Sequence, residues 1–283
     1  AAVPFVITSW NCLGAVYPSL PGMSLDGRLP LFDNMVSLNL HFSFVVCGFS
    51  YLLSTQVSLS LWLFHVLYAV QTGLFRSLGF SLGGRDPFSH LDPSVSHQAT
   101  GGMLVMVLAS LWIARRHLRD VLRSALRPDA RLEDPSGILS YRWCVALLVG
   151  GLAFMLGWLR LSGLSWPIAV LFLTLAMMTI YFLARAVAQS GLAAARPVLI
   201  PQAVTVHAVG SAALTPAGAV GLAYTMGWAS DVRTSVMAST AHGLFVLAGA
   251  DGHGAGAPRR GAALVAVAAA MAAALITSYL TII

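Results

Sequence analysis

Residue types that do chemistry are scarce in this chain and stand far apart. Glu133 is the only glutamate, lysine is absent, and all sixteen basic residues are arginine. No HExxH pair, no phosphate-cradling GxxxxGK[ST] loop and no close pair of carboxylates occurs, so conventional catalysis has little to work with and the chain is not expected to be an enzyme. The cysteines, Cys12, Cys47 and Cys144, form no CxxC and share no ligand spacing with histidine, which leaves no zinc site and no disulfide framework. Asp86, His90, Asp92 and His97 carry the donor types of a metal site, but their spacing matches no ligand motif, and a solvated loop is the simpler expectation. No resident metal is expected.

The remaining candidates are polar groups inside apolar surroundings, where desolvation makes each one costly unless it has a task or a partner. Asn39 and His41 fall in one apolar stretch and His65 in the next, so the two histidines could meet across a helical hairpin as haem ligands, although no CxxCH accompanies them. His207 and His242 stand alone in later stretches. For each histidine the plainer alternative is a hydrogen bond to a neighbouring helix. Arg185, Gln189, Ser190 and Gly191 place a cation, an amide and a hydroxyl beside a helix-stopping glycine. Arg185 as a snorkelling cation and Gly191 as a C-cap would account for them without a ligand.

These residues need elements to position them, and composition says which. Hydrophobic residues make up 58% of the chain, charged residues 9%, and mean hydropathy is +0.80, against roughly a quarter charged in a soluble domain. Runs without Asp, Glu, Lys or Arg cover 34–75, 93–114, 143–159, 161–184, 197–230, 234–250 and 261–283. A helical crossing needs about 20 residues, and backbone amides in lipid must be satisfied within their own segment. The runs are too continuous for the alternating strands of an outer-membrane barrel. The expected fold is therefore all-α, a polytopic integral membrane bundle with about eight transmembrane or membrane-embedded helices in one domain, 1–283.

Four prolines make 1–33 an irregular, extracytoplasmic segment with a short helix end. The run 34–75 is too long for one crossing and divides at Ser54-Thr55-Gln56 into helices near 35–53 and 57–76. A loop over 77–98 leads to a helix near 98–114, and apolar spacing continues it through the arginine cluster as an amphipathic surface helix and loop, 115–138. Helices follow near 140–159 and 165–186 as antiparallel neighbours. The weakly hydrophobic segment 208–228 carries Gly210, Pro216, Gly218 and Gly221 and is expected to be kinked or broken, as in transporters whose interrupted helices bind substrate or ions. Its Ala213, Ala217 and Gly221 have the spacing that lets helices approach closely. Last helices are expected near 234–250 and 261–283, and the abrupt apolar end points to further helices on a longer chain or a partner subunit.

The net charge of +6 is no nucleic-acid signal, because Arg115, Arg116, Arg119, Arg123, Arg127 and Arg131 cluster directly after an apolar run. With 115–138 cytoplasmic and sides alternating, eleven arginines fall inside and five outside, as the positive-inside rule requires.

The stretches SLSLWLFHVLYAVQ (58–71), HQATGGMLVMVLASLWIARRHLRDVL (97–122), LSYRW (139–143), LARAVAQSGL (183–192) and WASDVRTSVMAS (228–239) resemble a family of large, uncharacterised bacterial multi-pass membrane proteins, loosely similar to oligopeptide-transporter-type permeases. The resemblance implies a bacterial cytoplasmic membrane protein. Its members carry a second arginine and an acid in the 185–191 stretch, where this sequence has Val187 and Gln189, so a charge-coupled role there loses its pair. The leading expectation is a transporter-like permease with a pathway along the 35–76 hairpin, the 183–191 helix end and the broken 208–228 segment. The alternative is a structural or accessory subunit of a larger membrane assembly, holding pigment, haem or lipid through His41 or His65.

Overall fold

The computed structural model describes residues 6–7, 9–13, 17, 27–31, 36–40, 43–51, 54–80, 89, 91–126, 140–190, 196–230, 237, 240 and 243. They belong to two compact units, one formed by Ala1–Val95 with Ser190–Ala193, the other by Ser96–Gln189 with Ala194–Ile283. Among the described residues the chain is mostly helical, with eight α-helices of which four are long and apolar enough to cross a membrane.

In the first unit a β-hairpin replaces the irregular segment and the start of the helix expected near 35–53. Strands β1 (Gly27–Leu31) and β2 (Val36–Leu40) pair antiparallel in the register Gly27↔Leu40 to Leu31↔Val36. The reason is a period of two inside the apolar run: Val36, Leu38 and Leu40 alternate with Ser37 and Asn39, a repeat that suits a strand, after the turn formers Asp33-Asn34. Helix α1 (Phe44–Ser50) has seven residues, about 10 Å of rise, and is too short for a crossing.

Helix α2 (Thr55–Ser77) matches the expected second helix of the run and explains its polar break: Ser54 is the N-cap, its side chain accepting from Val57 N at 3.4 Å. At the other end Gly79 takes φ +72° while Gly79 N donates to Arg76 O at 3.1 Å and Phe80 N to Phe75 O at 2.8 Å. Those two bonds make a Schellman cap, and the Phe75 and Phe80 rings meet edge to face at 5.4 Å across it.

In the second unit the amphipathic stretch is continuous with the apolar helix before it. Helix α3 (Pro93–Leu126) runs 34 residues, about 51 Å, with Pro93 at its start and the arginines on its last turns. Helices α4 (Tyr141–Leu161) and α5 (Trp166–Ser190) follow, at the positions expected from their charge-free runs. His117 of α3 and Tyr141 of α4 stack edge to face at 6.3 Å, so α4 starts beside the arginine-rich end of α3. A second Schellman cap at Gly163 (φ +96°) turns the chain into α5.

The segment 208–228, expected to be kinked or broken, is broken, and the break starts from a helix that begins earlier, at Pro201. Helix α6 (Pro201–Val209) ends at Gly210, φ +84°; a single 3-10 turn (Ser211–Ala213) follows; helix α7 (Pro216–Tyr224) starts behind the N-cap Thr215; and α8 (Met226–Ala229) closes the run. Gln202 of α6 bonds Thr225 at the end of α7 with 2.8 Å between Nε2 and Oγ1, so the two short helices form a hairpin and not one crossing. Pro216 lacks the amide to continue a helix, and Gly210 accepts the positive φ that stops the preceding one.

The core of this unit gathers on α5: Ile168, Ala169, Phe172, Leu173 and Ala176 pack with Leu159, Leu164, Leu222 and Ala229, and Trp228 meets Phe172 edge to face. The small residues let α7 approach the α4–α5 turn. A Cβ on Gly221 would lie 2.5 Å from Ser162 O, and one on Gly218 would lie 3.1 Å from Gly163 O. Ala217 and Gly221 are therefore close-approach positions. The outer helices behave oppositely. Only 6% of the apolar window of α4 is buried, and Leu147, Leu148, Val149 and Phe154 are exposed, a surface suited to lipid. The helices expected near 234–250 and 261–283, and the loop after Leu126 up to residue 139, lie outside the described residues.

Candidate functional site

Within the second unit, α3 and α5 enclose a cleft of about 310 Å³. From α3 come Met106, Val107, Ala109, Ser110 and Ile113; from α5 come Tyr181, Phe182, Arg185, Ala186 and Gln189. Ser110 lies midway along α3, five residues and less than two turns before Arg115, whereas Arg185 sits in the last two turns of α5, and the packing of the two helices brings them to one level. The walls are otherwise aliphatic or aromatic.

Arg185 is held from two sides. Its Nε donates to Gln189 Oε1 at 3.2 Å, one turn on along α5, and its Nη1 donates to the Ser110 hydroxyl across the cleft. Ser110 in turn donates to Met106 O at 2.7 Å, which leaves its oxygen lone pairs for the guanidinium. Both partners are neutral, and among the described residues no carboxylate lies within ion-pair distance of Arg185. A guanidinium has five N–H donors in a planar fork, so about three stay available for an anionic or carbonyl ligand. Arg185 and Gln189 are thus joined in one constellation. Ser110, which completes it, is one of many serines in the sequence; only its distance from the arginine cluster hinted at its level.

The other sequence candidates are scattered. Asn39 stands on β2 opposite Arg28, not in a membrane helix. His41 and His242 lie outside the described residues, and the haem-ligand alternative for His41 and His65 lies outside them with His41. His65 is exposed on α2, its ring 6.1 Å from that of Tyr68. His207, in the last turn of α6, meets the His97 ring edge to face at 5.0 Å; His97, within the expected 77–98 loop, belongs instead to α3, which starts at Pro93. Asp92 accepts from Arg76 at 3.3 Å and from Ser94 N at 3.4 Å, capping the start of α3, while Asp86 and His90 lie outside the described residues. Among the described residues no group of three or more histidine, cysteine or acidic side chains converges.

Two features escaped the reading of the sequence. Gly79-Phe80-Ser81-Leu82-Gly83 spells the GxSxG of a hydrolase nucleophile elbow. That motif needs a strand before the serine, whereas here the 23-residue helix α2 precedes it. Gln202, 5% exposed, is the other. Thr225 Oγ1 donates to Leu222 O at 2.6 Å and must accept from the Gln202 amide nitrogen, which leaves Gln202 Oε1 buried without a partner among the described residues.

Comparison with known proteins gives one result. A model of a family of unknown function, DUF6785, matches residues 1–283. No curated protein matches the chain, and no solved structure does.

Proposed function

We propose that this chain, which belongs to the family of unknown function DUF6785, is a permease-like protein of a bacterial cytoplasmic membrane. The observation that carries the reading is the interrupted α6–α7 hairpin. Two nine-residue helices, each about 14 Å long, are joined by 3-10 and extended backbone whose amides have left the helical ladder. Irregular backbone is tolerated in a membrane only where protein or water covers it, and such breaks are where transporters place substrate and ions. The Arg185 cleft supplies a second polar place along the path. The sidedness that fits the arginine count puts 115–138 in the cytoplasm, with α3 and α5 running inward and α4 outward.

The test is accessibility of the hairpin to water. In a background lacking Cys12, Cys47 and Cys144, Val204→Cys and Ala212→Cys are expected to react with a membrane-impermeant thiol reagent in proteoliposomes, while lipid-facing Phe154→Cys stays unreactive. Val204→Cys as inert as Phe154→Cys means that no aqueous path reaches the hairpin, and the reading fails.

One observation favours the accessory-subunit reading: the bare apolar face of α4 fits another subunit as well as lipid. A visible absorbance band in the purified protein, or stoichiometric co-purification of another membrane chain, is the outcome that reading requires.

A further inference from the structure

We infer that the α3–α5 cleft holds a single-chain amphiphile by its carboxylate, with Arg185 as the cation and the apolar walls receiving the first carbons of the chain. The inference deepens the permease reading by naming a ligand class, and it rests on that reading only in placing α3 and α5 in lipid.

Three observations converge. A snorkelling arginine extends toward water, whereas Arg185 is tied back across the cleft to Ser110 and along the helix to Gln189. Both ties use neutral acceptors, so the positive charge stays uncompensated among the described residues, and the remaining N–H groups present the fork that matches a carboxylate. The lining around that charge is Met106, Val107, Ile113, Tyr181 and Phe182, which suits hydrocarbon and gives no support to a strongly hydrated anion.

Size and charge narrow the ligand. About 310 Å³ is on the order of ten water volumes, enough for a carboxylate and several methylenes. One cation calls for one negative charge. Met106 and Ile113 are 59% and 79% exposed, so the rest of the chain leaves along the lipid-facing side of α3.

The experiment is equilibrium binding of radiolabelled laurate to the full chain in nanodiscs of neutral phosphatidylcholine. Saturable binding is expected, with dodecanol, acetate and phosphatidylglycerol unable to compete. Arg185→Gln is expected to weaken binding at least tenfold, about 1.4 kcal/mol. Ala109→Leu, which fills the cleft and leaves Arg185 in place, is expected to abolish it, so the proposal stays testable if Arg185→Gln does not insert. Laurate binding unchanged by either folded variant overturns the site. Competition by acetate as strong as by unlabelled laurate reduces it to an anion site, dodecanol competition to a greasy groove, and phosphatidylglycerol competition to a lipid headgroup site; each overturns the proposal. Binding in nanodiscs reads no flux, so loss of binding with Val204→Cys still accessible leaves the permease reading standing, and the reverse result leaves the cleft standing.

Discussion

Two glycines of nearly identical sequence character do opposite things, and only their neighbours tell them apart. A methyl group on Gly221 meets Ser162 O at 2.5 Å, a contact that backbone must move to relieve, while one on Gly101 meets nothing within 4 Å. Gly221→Ala is therefore expected to destabilise by about 1–3 kcal/mol through overpacking, whereas Gly101→Ala gains about 0.5–1 kcal/mol by removing a helix-interior glycine. Thermal unfolding in detergent should show shifts of opposite sign; a matching loss at both positions would refute the close approach of α7 to the α4–α5 turn. Gln202 makes a prediction of another kind. Its Oε1 is buried without a partner among the described residues, so Gln202→Met gives up one hydrogen bond while removing an unsatisfied acceptor. The expected net change is within about 1 kcal/mol, and a loss of several kcal/mol would mean that Oε1 has a partner the described residues do not contain.

At the level of elements, ends matter more than interiors, because in apolar surroundings the unpaired amides of a helix terminus have few other partners. Thr215 illustrates this. Its hydroxyl accepts from Gly218 N at 3.1 Å, capping α7, and donates to Gly163 O at 3.3 Å, tying α7 to the turn before α5. Thr215→Ala is expected to cost about 1–2 kcal/mol, while Thr215→Ser, which keeps the hydroxyl, stays close to the parent. Equal losses in the two variants would show that the methyl group and not the hydroxyl is what matters. The helical boundaries themselves were largely legible. Ser54, Arg142, Arg160 and Ser165 punctuate the apolar runs, and α2, α4 and α5 start or stop within a few residues of them. In β2 the period of two sits inside a continuous apolar run, where hydropathy alone does not distinguish strand from helix.

On the scale of the whole molecule, the long helices leave their apolar sides uncovered, with Trp62, Phe64, Trp112, Ile113 and Phe154 all more than 60% exposed. The chain is accordingly expected to remain in the membrane pellet after alkaline carbonate extraction and to aggregate when detergent is withdrawn; a monodisperse detergent-free protein would contradict both. Under the proposed sidedness, Leu126→Cys and Ser162→Cys should react with an impermeant thiol reagent from opposite faces of oriented vesicles, and labelling from one face would reverse the proposed path of α4. Hydropathy and charge alone settled that α2 to α5 are helices long and apolar enough to cross a bilayer, since an amide in lipid can be satisfied only within its own helix. They also singled out Arg185 and Gln189, because a cation amid apolar residues is conspicuous in any alignment of letters. Tertiary structure alone decided that Ser110 completes their site, that His97 faces His207, and that 201–225 folds back as a hairpin. Each of those is a contact between residues far apart in the chain, set by how side-chain shapes pack, and local periodicity carries no record of which distant partner a given face will meet.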